Sequence, residues 1–394
     1  MTQQSWRPFI LVSFALCIGT VGTALASPLY PLYQQLWQLL PSDITNIFVA
    51  YMFGCMTTLL FLGRSSDSIG FVRTLQIGLL FAIIGLSLSV WAANVWILGI
   101  GRFIIGVASG LISTSAMLGL IYTIPDSHKQ YAAQFSSIIT VIGFGLGPFV
   151  GGTIAQFSDA PLVTPYLPII FLAVISLISL FTLGFKVTTE HKFSIRPHFQ
   201  TPENEYKAIF YIASFSAFCS FAGFSIFASL APSFIKDLIP WHGPMVSGMT
   251  ISSILILSAI SQTFARKLRS TQALNRGLFI LLSSFILLAL CMVFHLGKLF
   301  FVSVFLVGIG HGLSLIGAFG TVQKVCNEQN RAAVVSTYLF LAYIGTIVPI
   351  LVAGFLSDHF GFSMGIVGFC VGVGGLCVYL LWRHHQLRQL QNAI

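Results

Sequence analysis

Charged residues make up only 7% of this 394-residue chain, and the ten carboxylates all lie at the ends of apolar runs or between them. A soluble domain devotes about a quarter of its residues to charge, so this scarcity excludes one. The longest polar interval, about Val187 to Tyr206, is too short to enclose a core of its own. The seven cysteines include no C-x-x-C pair, and six of them fall inside apolar runs, which reads as packing rather than metal or redox chemistry. There is no H-E-x-x-H zinc motif and no pair of aspartates within an apolar run, and no cofactor is expected. The opening run Met1 to Tyr33 is longer than the 7–15-residue core of a cleavable signal and continues into Pro28-Leu29-Tyr30-Pro31-Leu32-Tyr33, so it is expected to stay as a span.

What is present is hydrophobic length. Apolar residues reach 56% and the mean hydropathy is +0.92. A helix needs about 20 apolar residues to cross a bilayer. Such runs occur at roughly 9–33, 43–63, 72–93, 96–123, 130–157, 165–187, 207–234, 244–265, 273–295, 299–323, 331–356 and 362–382. The expected fold is therefore an all-α membrane protein of twelve transmembrane helices. It divides into a six-helix bundle at 1–187, a cytoplasmic linker at 188–206 and a second six-helix bundle at 207–394.

The net charge of +9 follows from topology rather than from a nucleic-acid partner. With the N-terminus inside, 16 of the 19 basic residues fall on one face, only Lys236 and Lys298 fall on the other, and Arg102 lies within a span. This positive-inside asymmetry places both termini in the cytoplasm. The halves also repeat weakly. Pro28 and Pro232 end the first and seventh spans, an offset of 204, and Gly147-Pro148 aligns with Val348-Pro349 in the fifth and eleventh spans, an offset of 201. Such repeats belong to transporters that bind substrate between two halves near the midplane.

Three motifs stand out. Gly143, Gly147 and Gly151 recur every four residues, forming a flat helix face for close packing, with Pro148 removing one backbone hydrogen bond and Gly152 adjoining. This Gly-x-x-x-Gly-Pro-x-x-Gly-Gly stretch resembles the fifth-helix antiporter signature of the drug:proton antiporters of the major facilitator superfamily. The segment Gly63-Arg64-Ser65-Ser66-Asp67-Ser68-Ile69-Gly70-Phe71-Val72-Arg73-Thr74-Leu75 resembles the loop signature of that superfamily at Gly63, Asp67, Gly70 and Leu75. Ser68 and Phe71-Val72 replace basic residues, and Arg73 supplies a charge one position later. Two roles fit Asp67: a gate residue that binds the positive end of a facing helix, or the cap of a solvated turn. The resemblance implies the gate, with the eleventh helix as partner. The third motif, Arg102-Phe103-Ile104-Ile105-Gly106, resembles the Arg-x-x-Gln-Gly pattern of the family's fourth helix, with Ile105 where glutamine is usual.

Arg102 shares a face with Gly106 and Gly110 and is open to two readings, packing against backbone carbonyls or contact with substrate and proton coupling. His311, within Gly308-Ile309-Gly310-His311-Gly312, is displaced by 209 from Arg102 in the equivalent tenth span. Imidazole is the side chain whose ordinary pKa allows reversible protonation near neutrality. A neutral histidine bonded to a carbonyl is the other reading. With no carboxylate in mid-span, a strongly cationic substrate finds no counter-ion, so neutral, zwitterionic or weakly anionic substrates fit better. Tyr30, Tyr33, Tyr51, Phe144, Phe218 and Phe221 are candidate pocket aromatics, or else lipid-facing and packing residues.

The resemblance implies a monomeric transporter of the plasma, or bacterial inner, membrane, surrounded by lipid and exporting small amphipathic compounds in exchange for protons. A facilitator or importer of a small polar metabolite is the alternative. A remote third reading is an intramembrane enzyme, since Gly106-Val107-Ala108-Ser109-Gly110 has a likeness to the Gly-x-Ser-Gly of serine proteases with His311 as base. Its spacing is one residue too long.

Overall fold

The computed structural model describes residues 6–63, 65–184, 199–327 and 329–387. The described residues contain helices and turns and no β-strand. That follows from the solvent: inside a bilayer every backbone N–H and C=O must find a partner within the chain, and an isolated segment does so only as a helix.

The chain begins with α1 (Arg7–Ala24), a 3₁₀ turn at Ser27–Leu29 and α2 (Tyr30–Trp37). Then come α3 (Pro41–Thr57), which runs into a π-helical turn at Thr58–Leu62, and the short α4 (Ser65–Ile69). Next are α5 (Phe71–Val90), α6 (Val95–Thr123), α7 (Ala132–Gln156) and α8 (Tyr166–Leu180). The remainder comprises α9 (Lys207–Ser229), α10 (Ala231–Leu238), α11 (Pro244–Ala265), α12 (Ser270–Phe294), α13 (Gly297–Val325) and α14 (Arg331–Gln386).

Ten stretches among the described residues are long and apolar enough to cross a membrane. Two further observations restore the expected twelve. Helix α8 is apolar but only 15 residues long, because the chain turns through Phe181 and Thr182 where the sequence predicted a span to 187. Helix α14 is 56 residues of two rods joined at Gly361, whose φ of 84° and ψ of 161° lie where only glycine is at ease.

Local chemistry sets several boundaries. Asn94 caps α6, its Oδ1 accepting from the backbone of Trp96 at 3.1 Å and Ile97 at 3.0 Å. His295 closes α12 in the left-handed conformation, with φ 52° and ψ 38°. The repeat in the sequence has a structural counterpart. Pro28 sits in the break between α1 and α2, and Pro232 lies in the first turn of α10 just after α9 ends, while Pro148 and Pro349 are carried inside α7 and α14.

The described fold falls into two compact units, one of residues 1–37 and 50–197, the other of 38–49 and 198–394. The start of α3 is thus grouped with the second unit, a division not visible in the hydropathy pattern. In the first unit Phe9, Leu16, Leu75, Leu79, Ile112 and Leu120 belong to one buried cluster. Large apolar side chains such as Phe171, Phe264 and Val371 are exposed, as expected for surfaces whose solvent is lipid tails.

Candidate functional site

Arg102 lies on α6, seven residues into the helix, and is 1% exposed. Its Nη1 donates to the carbonyl oxygen of Thr23 at 2.9 Å, and its guanidinium stands 4.7 Å from the centre of the Tyr51 ring. Cation–π contacts of this kind strengthen as water is removed. Tyr30, Tyr33 and Tyr166 are also fully buried and interact electrostatically with Arg102. The Tyr33 and Tyr166 hydroxyls lie 3.1 Å apart, and the Tyr51 hydroxyl is 3.3 Å from Ser109 Oγ. Arg102 Nε is buried without a hydrogen-bond partner, and the buried Tyr30 hydroxyl stands within reach of Arg102 and Ser27 without a well-aligned hydrogen bond to either. Among the described residues Arg102 has no carboxylate partner, whereas Lys129 on the surface is paired with Asp126. A buried guanidinium without a counter-ion costs several kcal/mol. Chemically, the cluster gathers positive charge and phenolic hydroxyls inside the unit.

The helix geometry explains how Arg102 is held. Gly106, one turn on, packs against the Tyr51 carbonyl and Gly54 of α3, and Gly110 packs against Thr58. Thr58 donates to the Val107 carbonyl at 3.0 Å, tying the π-helical turn to α6. The glycine face thus brings α3 close enough for Tyr51 to reach the arginine.

His311 on α13 is buried, with 6% exposure. Its Nδ1 lies 2.8 Å from Ser258 Oγ, and Gln262 Nε2 donates to that same oxygen at 3.1 Å. The serine oxygen, already accepting from the amide, still has one proton to donate and one lone pair to offer, so it can donate to Nδ1 of a neutral ring or accept from Nδ1 of a protonated one. The ring centres of Phe221 and Phe224 lie 6.1 and 6.0 Å from that of the imidazole, and Phe221 stacks on Tyr343 with ring centres 5.4 Å apart. The sequence reading anticipated a carbonyl partner for a neutral histidine; the partner is a serine hydroxyl instead.

Gly143, Gly147 and Gly151 on α7 face α1. A Cβ at these positions would stand 2.9 Å from the Cys17 carbonyl, 2.6 Å from that of Val21 and 2.5 Å from that of Leu25. Pro148 and Gly152 are buried beside them. In the loop before α5, Gly63 follows the π-helical turn, Asp67 lies in α4, and Gly70 adopts φ 89° and ψ 149°. Arg73 is exposed on the first turn of α5. Arg64 lies outside the described residues, as do Lys186, Lys192 and Arg196.

The aromatic candidates separate. Tyr30, Tyr33 and Tyr51 gather at Arg102, and Phe221 stands at His311. Phe218 supplies backbone against which Gly345 packs, and Phe144 is half-buried. Sequence reasoning missed Tyr166, Thr23, Ser258 and Gln262. A lone tyrosine and a lone amide in apolar spans were the available signals, but nothing local says which helix they face. Ser109 and His311, the pair an enzyme would need, are bonded to Tyr51 and Ser258.

Apolar spans, an internal repeat and buried polar clusters inside the helical units define a multi-pass membrane transporter. The family model described as Major Facilitator Superfamily matches residues 12–349, and the chain belongs to that family, which consists of transporters rather than enzymes. Over 351 residues it is 25% identical to the multidrug efflux protein YfmO of Bacillus subtilis, covering 89% of this chain and 86% of that one. A shorter match, 27% over 154 residues and 39% of each chain, is to the quinolone resistance protein NorA of Staphylococcus aureus. Among solved structures, that of a D-xylose–proton symporter superposes with a TM-score of 0.74 at 14% identity, covering 96% of this chain and 97% of that one, which is a likeness of fold.

Proposed function

We propose that the protein is a proton-coupled exporter of small amphipathic compounds, neutral or weakly anionic, and that its halves, 1–187 and 207–394, alternate access to the two sides of the plasma membrane. In this reading the chain acts as a monomer with both termini and the 188–206 linker in the cytoplasm. The observation that carries it is Arg102, a buried cation with no carboxylate beside it among the described residues, in a chain whose nearly full-length relative is named as a multidrug efflux protein. A cationic drug would meet repulsion there, whereas a carbonyl or weak acid would find donors.

His311 is the proton carrier in this reading. With the neutral ring's hydrogen on Nε2, its Nδ1 accepts from Ser258, 2.8 Å away; on protonation Nδ1 becomes a donor and the serine hydroxyl must turn its own hydrogen away. One proton therefore reverses a hydrogen bond between α13 and α11. His311→Gln keeps a side chain able to bond Ser258 but unable to titrate. In proteoliposomes with an imposed pH gradient it is expected to lose uphill export while retaining downhill exchange. Undiminished uphill movement by this variant would return His311 to packing.

A second reading, a facilitator or importer of a small polar metabolite, is favoured by the absence of any carboxylate in mid-span, since such a group could have carried a proton through the membrane. Counterflow with and without a pH gradient separates the two: a facilitator ignores the gradient.

A further inference from the structure

The loop motif around Asp67 occurs a second time. Gly63-Arg64-Ser65-Ser66-Asp67-Ser68-Ile69-Gly70-Phe71 is matched by Gly354-Phe355-Leu356-Ser357-Asp358-His359-Phe360-Gly361-Phe362 at a constant offset of 291, with Gly, Ser, Asp, Gly and Phe in the same places. The backbone repeats as well. Gly70 has φ 89° and ψ 149°, Gly361 has φ 84° and ψ 161°, and in both cases a new rod starts with phenylalanine at the next residue. A shared five-residue pattern joined to a shared glycine-only conformation is unlike a chance match.

The second copy shows its partner. Asp358 Oδ1 accepts from the backbone N–H of Ser42 at 3.0 Å, in the first turn of α3. That turn has no cap of its own for this donor, because the residue before Pro41 is Leu40, whose side chain accepts nothing, and Asp43 is bonded back to the Leu40 N–H at 3.0 Å. Asp358 thus supplies, from α14, the carboxylate that a helix N-terminus favours. Four residues earlier Gly354 lies flush against Thr45, and a Cβ there would overlap the threonine hydroxyl. Asp358 caps the first turn of α3, whereas Asp67 follows the end of its π-helical extension at Leu62, and 22 residues from Pro41 to Leu62 span about 33 Å at about 1.5 Å per residue.

We infer that Asp358 is a second gate residue, the inverted counterpart of Asp67, and that its bond to the α3 N-terminus holds one face of the transporter shut until α3 and α14 part there. The two aspartates then bias the same equilibrium in opposite senses, each stabilising the closure of its own end. This inference rests on the alternating-access reading but not on the identity of the substrate or on proton coupling.

The test uses full-length protein in liposomes with its native cysteines replaced, carrying nitroxide labels at Asn46→Cys on α3 and Phe360→Cys on α14, and reads the distance distribution by pulsed electron paramagnetic resonance. Asp358→Ala is expected to lower the ratio of short to long distances about five-fold, the effect of losing a helix cap. Asp358→Asn, which keeps an oxygen acceptor without charge, is expected to shift it in the same direction by less. Asp67→Ala is expected to raise the ratio. A variant that elutes as aggregate is replaced by the asparagine form, which preserves shape. An unchanged distribution in both Asp358 variants, or a shift in the same sense as Asp67→Ala, overturns the inference and leaves alternating access standing. A single distance that no variant moves overturns alternating access itself.

Discussion

Replacing Gly147 by alanine tests whether α1 and α7 approach as closely as their sequence permits. The added Cβ would sit 2.6 Å from the Val21 carbonyl oxygen and 3.0 Å from the Ala24 Cβ. Ordinary contact begins near 3.4 Å, so α1 would have to retreat by about 0.8 Å. The obstacle is backbone, which has no rotamer to turn aside, and overpacking of this kind costs about 1–3 kcal/mol. Alanine also gains about 1 kcal/mol over glycine as a helix former, so the raw effect underestimates the clash. Gly99 on α6 provides the control, because nothing lies within 4 Å of a Cβ built there. Gly99→Ala receives the propensity gain without the clash, and the difference between the two variants is expected to be about 1–3 kcal/mol. Thermal unfolding of both proteins in the same detergent, followed by intrinsic fluorescence, measures it as a lower melting temperature for Gly147→Ala. A Gly147→Ala protein melting at or above Gly99→Ala would refute the close packing of the glycine face.

Two further predictions concern charge. Arg102→Gln removes a buried cation that has no counter-ion, so the melting temperature is expected to change little while transport falls at least about tenfold, and Arg102→Lys, which keeps charge but loses the planar fork and the stacking on Tyr51, is expected to fall between. Wild-type transport by Arg102→Gln would assign the arginine to packing. For topology, single cysteines at Lys324 and Arg266 are expected to react with a membrane-impermeant maleimide only from the cytoplasmic side, and one at Lys298 only from outside; the reverse pattern would overturn the orientation drawn from the basic residues.

Different features of this protein were legible at different distances along the chain. The spans were readable because hydrophobic length is a local property: twenty apolar residues have one solution in a bilayer whatever surrounds them. The glycine spacing of α7 was readable for the same reason, since an i, i+4 pattern places Gly143, Gly147 and Gly151 on one face without reference to any partner. The short α8 and the joined rods of α14 were not, because hydropathy averages over the turn at Thr182 and the single strained residue at Gly361.

The sequence by itself therefore determined the class of the protein, its repeat and its exceptional residues: Arg102 and His311 are conspicuous because ionisable groups are costly in lipid wherever they fall. Only the tertiary structure decided what surrounds them. Thr23, Tyr51 and Tyr166 reach Arg102 from three other helices, and Ser258 reaches His311 from a fourth, across separations of 79, 51, 64 and 53 residues. Such contacts depend on which faces of distant helices are packed together, and apolar faces in a membrane helix look alike until a neighbour is in place. The same holds for Asp358, an ordinary helix-end carboxylate in the sequence and the cap of α3 in the fold.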